Sequence, residues 1–466
     1  MLMSLMNAVA ARQNIPLARV VAPLLAFVMT AAAARSQPAP PTTDFWHRDS
    51  LTGDWGGERT ALADAGVTFT MTYTGDLQDV VQGGIRRGGV YDSLLQPQID
   101  LDLDKLAGWT GATAHFSLLG IAGPSLSASY AGNLINTSSI NGRPAIRLYN
   151  AWLQQDIGMA SIRAGLMNAD AEFFISQTAS LFVDSTFGWP AILGVDLPGG
   201  GPAYPLSSPG ARVKLQPTPE LAVMAAVFSG DPTGQDGTNM LSTRQPDGTL
   251  ISFTGGALAI AEAAYSLNQG KDAKGMPVTF KLGGWYHSSA HFEDQRFDTN
   301  GLSLADPASN KLPRGHDGDW GWYGIADVTL YQAPGGNGGS LSGFARIAGT
   351  PDDENLVGFY ADSGLAYKGL LPTRADDTAG VAVAYARIGN RARSLDLDYR
   401  QLDDLLLPVR NQEIVLEVSY QAQVTPWWTL QPDAQVIFNP DGHVANSAGS
   451  VRQNALLLGM RTVVTF

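Results

Sequence analysis

The chain has 466 residues, no cysteine and a formal charge of −13 from 30 basic and 43 acidic side chains. Without cysteine there is neither a disulfide framework nor thiolate chemistry, and the acidic balance argues against nucleic acid as a partner, because a phosphate backbone calls for clustered Lys and Arg. Charged residues are only 16% and glycines number 52, against about 25% charged in an ordinary soluble domain.

The first element reads as a secretory leader over residues 1–34. Arg12 and Arg19 make a basic start, Val20–Ala34 is apolar, and Ala32-Ala33-Ala34 offers small side chains for cleavage. That run falls short of the ~20 residues of a spanning helix, and no later stretch is apolar for long enough to span as one. Cleavage would remove two arginines and no acid, taking the charge from −13 to −15. Gln37-Pro38-Ala39-Pro40-Pro41 follows as an extended linker. Glu58–Ala65 carries helix formers and stops at Gly66, so residues 35–66 form a linker and one short helix.

From Val67 the signal is period two. Val67-Thr68-Phe69-Thr70-Met71-Thr72-Tyr73-Thr74 puts apolar residues on one strand face and threonines on the other, an order a helix would scatter. Between Gln96 and Asp104, Ile99, Leu101 and Leu103 oppose Asp100, Asp102 and Asp104. The pattern recurs near 67–75, 95–104, 111–119, 147–157, 160–168, 210–217, 220–229, 256–267, 277–288, 320–331, 340–349, 355–367, 379–388, 412–425, 427–438 and 454–466, sixteen strands in all. Short connections, such as Gly158-Met159 and Pro426, alternate with long ones at 76–94, 120–146, 169–209, 230–255, 289–319, 389–411 and 439–453; only 350–354 breaks the series. Short turns at one end, long loops at the other and an even strand count describe an outer-membrane barrel. The expected fold is therefore all-β, a 16-stranded antiparallel transmembrane β-barrel over residues 67–466, with the short N-terminal helix at its periplasmic mouth. Trp109, Trp320, Trp322 and Trp427-Trp428 fall near strand ends, where indole rings favour the lipid interface.

Alternation also assigns the lumen. A charge on the lipid face costs a few kcal/mol near the midplane, so Asp100, Asp102, Arg163, Arg212, Lys214 and Arg346 should face water. The third outer loop, 169–209, has 41 residues, a length usually reserved for functional or disordered segments. Phe173, Phe174, Phe182, Phe187 and Trp189 speak against disorder. The loop is expected to fold inward, with Asp170, Glu172 or the Phe173-Phe174 pair near the narrowest point.

Enzyme signatures are scarce. The six histidines are His47, His115, His287, His291, His316 and His443, without H-E-x-x-H, and there is no G-x-S-x-G. His287 and His291 would lie about 13 Å apart along a strand, too far to share one zinc ion. Gly335–Gly339 lacks the lysine of a phosphate loop. No metal or cofactor is expected.

Leu51-Thr52-Gly53-Asp54-Trp55-Gly56-Gly57-Glu58-Arg59, Leu101–Trp109, Tyr420–Asp433 and Phe438-Asn439-Pro440 together resemble the carbohydrate-selective porins of the OprB type, over roughly residues 45–466. The resemblance implies passive uptake of sugars such as glucose across the outer membrane of a Gram-negative cell. It also implies lipid around the barrel and contact of the last strand, ending in Phe466, with the barrel-assembly machinery. Monomer and homo-oligomer both fit. A general diffusion porin without sugar preference is the alternative, and a barrel enzyme acting on lipids the reading from a different class.

Overall fold

A computed structural model of the chain describes residues 44–233, 247–249, 251, 253–270, 273–289, 292–333, 339–402, 408–444 and 451–466. The leader, the Pro-rich linker, His291 and Gly335–Gly338 lie outside the described residues.

Sixteen strands close into one antiparallel barrel. The wall opens with β1 (Val67–Gly84), β2 (Gly88–Asp102), β3 (Ala112–Ala122), β4 (Ala145–Ile157), β5 (Ala160–Met167), β6 (Ser208–Leu215), β7 (Leu221–Ser229), β8 (Ala257–Leu267) and β9 (Val278–His287). A hairpin of β10 (Phe292–Asp298) and β11 (Pro313–His316) then leaves the wall as a separate two-stranded sheet. The wall resumes with β12 (Asp319–Gln332), β13 (Ser340–Gly349), β14 (Val357–Lys368), β15 (Thr378–Ile388), β16 (Gln412–Thr425), β17 (Trp428–Phe438) and β18 (Gln453–Thr465). β18 closes on β1, with Thr72 opposite Thr465 and Asp79 opposite Leu458. Each expected segment carries one barrel strand. No described helix is long and apolar enough to cross a membrane.

The two faces of the wall sort as alternation requires. Along β16, Glu413, Val415, Glu417 and Ser419 are buried, while Val418 is 53% exposed. On β9, Phe280, Leu282 and Tyr286 are 52%, 67% and 51% exposed. An apolar belt of this kind is stable against lipid and not against water. Trp320 and Trp322 belong to it, being exposed at the outer end of β12, and Trp109 is exposed in a periplasmic turn.

Three local readings change. The first outer connection is not the long loop 76–94, because β1 and β2 run on as a hairpin to a turn at 85–87. Asp102 ends β2 and caps a short helix, α2 (Leu103–Ala107): its Oδ1 accepts the N–H groups of Asp104 and Lys105 at 3.1 and 3.2 Å. Asp102 is thus a capping residue, and Asp104 is not on the strand. Trp427 is buried, with its ring edge against Phe45 at 5.1 Å.

The N-terminal segment packs against the seam of the barrel. Its helix α1 (Glu58–Asp64) carries Arg59, which donates to the carbonyls of Phe69 and Phe466, and Leu51 N–H donates to Thr465 O at 2.7 Å. The helix therefore braces the seam between the first strand and the last.

Candidate functional site

The lumen is filled from above by two loops, and the wall is built to receive them. A loop drawn away from water must find partners for its peptide groups. The third outer loop, between β5 and β6, finds them on strands across the barrel. Phe174 N–H donates to Glu262 at 3.0 Å and Ser176 Oγ to Asp327 at 2.6 Å. The N–H groups of Val183 and Asp184 take the two oxygens of Glu417 at 2.7 and 2.9 Å. Gln431 donates to Leu181 O at 2.7 Å. Carboxylates thus satisfy loop N–H groups, and Arg346 satisfies loop carbonyls: it reaches Phe174 O at 3.2 Å and Thr186 O at 2.9 Å while Asp362 holds its Nε at 3.0 Å. Beneath these bonds Phe173, Phe174, Phe182 and Phe187 are buried, with Phe174 stacked on Tyr323 at 4.1 Å.

The second outer loop, between β3 and β4, also turns inward. Thr137 O accepts from Gln78 and Gln435, both at 2.9 Å. Leu134 and Ile135 N–H donate to Glu413, both at 2.8 Å. Ser138 Oγ donates to Asp76 at 2.6 Å and Asn141 to Asp92 at 3.0 Å. The two loops join directly: Ser139 N–H donates to Val183 O at 2.9 Å, Ser185 N–H to Asn136 O at 3.0 Å and Tyr204 OH to Ile140 O at 2.6 Å.

Two polar features result. Between the loops lies a cavity of about 290 Å³ lined by Asn136, Asn141, Asp170, Ser185, Trp189 and Tyr204 among others. At ~30 Å³ per water it has room for roughly ten water-sized groups, the scale of one sugar ring. Below it, against β4–β6, Glu172 meets an arginine pair. Glu172 accepts from Arg212 Nε at 2.6 Å and pairs with Arg163. Gln154 Oε1 accepts from Arg163 at 2.8 Å and Arg212 at 3.0 Å. Arg163 also lies 3.8 Å over the Trp152 ring, whose indole stacks on His115 at 5.0 Å, and His115 pairs with Asp100 at 2.7 Å. The row runs from exposed Asp100 through Trp152 to Glu172 and offers fixed donors, acceptors and a flat apolar surface.

The residues singled out from sequence divide here. Arg163, Arg212 and Glu172 come together; Arg163 keeps 20% and Glu172 15% side-chain exposure, but Arg212 only 4%. Asp100 sits in the same row, and Lys214, half-buried, lies two residues beyond Arg212 on its face. Asp170 is bound within its own loop by Tyr204 N–H at 2.8 Å and by Asn168. Burial pushes its carboxyl up, and those hydrogen bonds pull partly back. Two readings need correction. Arg346 is fully buried and touches no open water; it is an anchor for the third loop, because its alternation signal marks the inner face and cannot tell a wetted wall from one covered by a loop. Phe173 and Phe174 likewise pack beneath the loop instead of facing solute. Missed were the inward course of the second loop and the row His115-Trp152-Gln154; Trp189 was read only as part of the third loop's packing, not as a cavity wall. Gln154 was legible as a polar residue alternating with Leu153.

Comparison with known proteins agrees with this architecture. The family model for the carbohydrate-selective porin, OprB family, matches residues 86–466. Porin B of Pseudomonas aeruginosa is 26% identical over 439 residues, spanning 89% of this chain and 91% of that protein. The high-pH structure of Pseudomonas putida OprB has 25% identity and a TM-score of 0.80, covering 91% of this chain and 100% of that one. The family match begins in the first outer turn and runs to the last residue, leaving only β1 of the wall outside it: this chain belongs to the OprB family of carbohydrate-selective porins, sugar-selective channels of the outer membrane.

Proposed function

We propose that the channel passes single sugar rings, such as glucose, by passive diffusion into the periplasm. The solute would exchange its water first in the cavity at Trp189 and then along Asp100, Trp152, Arg163, Glu172, Arg212 and Lys214. The observation that carries this reading is the Glu172-Arg163-Gln154-Arg212 cluster. Its groups are held by one another, so they meet a hydroxyl without paying to order themselves. An arginine fork donates and a carboxylate accepts, which suits a neutral solute rich in both functions. Binding must stay weak enough for release, and partial exposure of Arg163 and Glu172 keeps water in competition.

Residues 1–34 are proposed as the cleaved leader, the apolar belt as the lipid-facing surface, and the terminal strand with Phe466 as the contact for assembly machinery. Membership of a porin family favours a channel over the lipid enzyme. The general diffusion reading is the one to exclude, and liposome swelling does so. Hexoses should enter faster than amino acids of similar size, and disaccharides much more slowly. Rates that follow solute size alone would reduce the channel to a sieve.

A further inference from the structure

The outer loops carry a polar cluster remote from the sugar path. His316 ends the hairpin β10–β11, and its ring faces consecutive acids, Asp353 and Glu354, in the β13–β14 connection. His316 Nδ1 lies 3.9 Å from Asp353 Oδ2 and 3.9 Å from Glu354 Oε2, and one ligand atom from each residue falls within 4.8 Å of the others. The other ring nitrogen, Nε2, is 3.0 Å from Asp294 Oδ2, on a carboxylate whose side chain is 0% exposed. Asp294 also accepts from Arg314 at 2.8 Å, from Arg391, and from the N–H groups of Arg296 and Phe297, both at 2.9 Å.

These contacts orient the imidazole. A carboxylate engaged by two guanidiniums only accepts, so Nε2 donates to Asp294 and Nδ1 is the ring atom turned towards Asp353 and Glu354. One ring nitrogen and two carboxyl groups thus converge on one point, with Arg391 3.8 Å from Asp353 Oδ2. The spacing distinguishes the cations. At 3.9 Å the pairs are too long for an N–H···O bond, which spans about 2.7–3.2 Å. They exceed by a few tenths of an ångström the ~3.3–3.6 Å between two ligands of a tetrahedral ion at ~2.0–2.2 Å, so a small inward turn of the ring would seat one. The frame is preset: Gln295 N–H donates to Asp353 O at 2.8 Å and its side chain to Glu354 O at 3.0 Å. A histidine fixed by a buried carboxylate is the usual support of a metal-binding imidazole. Nearby charge does not forbid a cation, since Arg314 and Arg391 face three carboxylates, Asp294, Asp353 and Glu354.

We propose that His316, Asp353 and Glu354 bind one divalent transition-metal ion, of which Zn²⁺ best suits a nitrogen and two carboxylate ligands, with Asp294 orienting the histidine. The ion would tie the outer hairpin to the neighbouring loop and, through Arg391, to the helix α3 (Asn390–Leu402). The test is calorimetric titration of Zn²⁺ into the full chain in detergent after chelation, with Mg²⁺ as control. One saturable Zn²⁺ per chain is expected, and none for Mg²⁺. His316→Gln should abolish it, and Asp294→Asn should weaken it about 10–100-fold. Sugar swelling should be unchanged in both variants, which shows that the barrel is intact. Absence of saturable Zn²⁺ binding to the unaltered chain would overturn the proposal. Binding that survives His316→Gln would overturn the ligand assignment.

Discussion

The third outer loop and the β9–β12 connection are both long, yet one enters the barrel and the other stands outside it. The first carries Asp170, Glu172, Asp184 and Asp196, no basic residue, and a run of buried aromatics. The second mixes Glu293, Asp294, Asp298 and Asp306 with Arg296, Lys311, Arg314 and His316. An apolar payload gains by leaving water. A segment dense in charge of both signs pays to desolvate each group and keeps its pairs at the surface. Length makes a loop able to reach the lumen; composition decides whether it goes. The wall completes the choice, since Glu262, Asp327, Glu417 and Arg346 await the peptide groups of the third loop.

The comparison breaks most visibly if the inward loop is removed. Excising its middle, from Ile175 to about Gly199, should raise single-channel conductance severalfold and let disaccharides approach the hexose rate in swelling. Unchanged conductance would mean that the loop does not limit the path. Next in size is Arg346→Ala. Removing one partner of a buried pair costs about 3–5 kcal/mol, and Asp362 would be left charged beneath the loop. The loop should become cleavable by protease while the barrel keeps its strand content by circular dichroism; a loop as resistant as before would deny Arg346 its anchoring role. A smaller effect is expected at the cluster itself. Arg163→Ala should leave the fold intact and shift the reversal potential towards cations, because Glu172 loses one of two partners at the wetted edge. Glu172→Gln should shift it the other way, and equal potentials in both variants would take the cluster off the conducting path.

Sequence told the wall from the loops better than it told one loop from another. Strand alternation is a local property, and Val67–Thr74 or Gln412–Thr425 display it without knowledge of neighbours. The outer half of the first hairpin was hidden because its inward residues, Asp76, Gln78 and Asp92, are polar and look like loop. They are polar because they hold the second loop. That loop was hidden in turn because it enters with serines, asparagines and threonine instead of aromatics. The third loop's inward course was legible from its phenylalanines, but its anchors were not. Nothing local marks Glu417 as the acceptor for Val183, 234 positions away.

The smallest effect concerns acid, and it should divide the two loops. Arg296 on the hairpin meets Asp398 on α3 with two bonds, at 2.8 and 3.0 Å, and Ser303 adds a third at 2.6 Å. Burial pushes the Asp398 carboxyl up, but the bonds from Arg296 and Ser303 outweigh it and leave it lowered. A carboxyl lowered by folding stabilises fully above its unfolded value, ~3.9, and that contribution is lost as pH falls through the folded value. The third loop has the opposite sign. Burial, with Glu417 or Asp319 nearby, pushes Asp184 and Asp196 up, so their protonation favours the folded loop and acid does not release it. At neutral pH, Asp398→Asn should therefore cost no more than about 1 kcal/mol, the range of a partly exposed pair. It should loosen only the hairpin in hydrogen exchange. Acidification of the unaltered protein below the folded value of Asp398 should mimic the substitution at the hairpin and leave the third loop protected, once rates are corrected for intrinsic exchange. If the third loop opens first in acid, its carboxylates are held as ions by the wall, and burial is not what seats it.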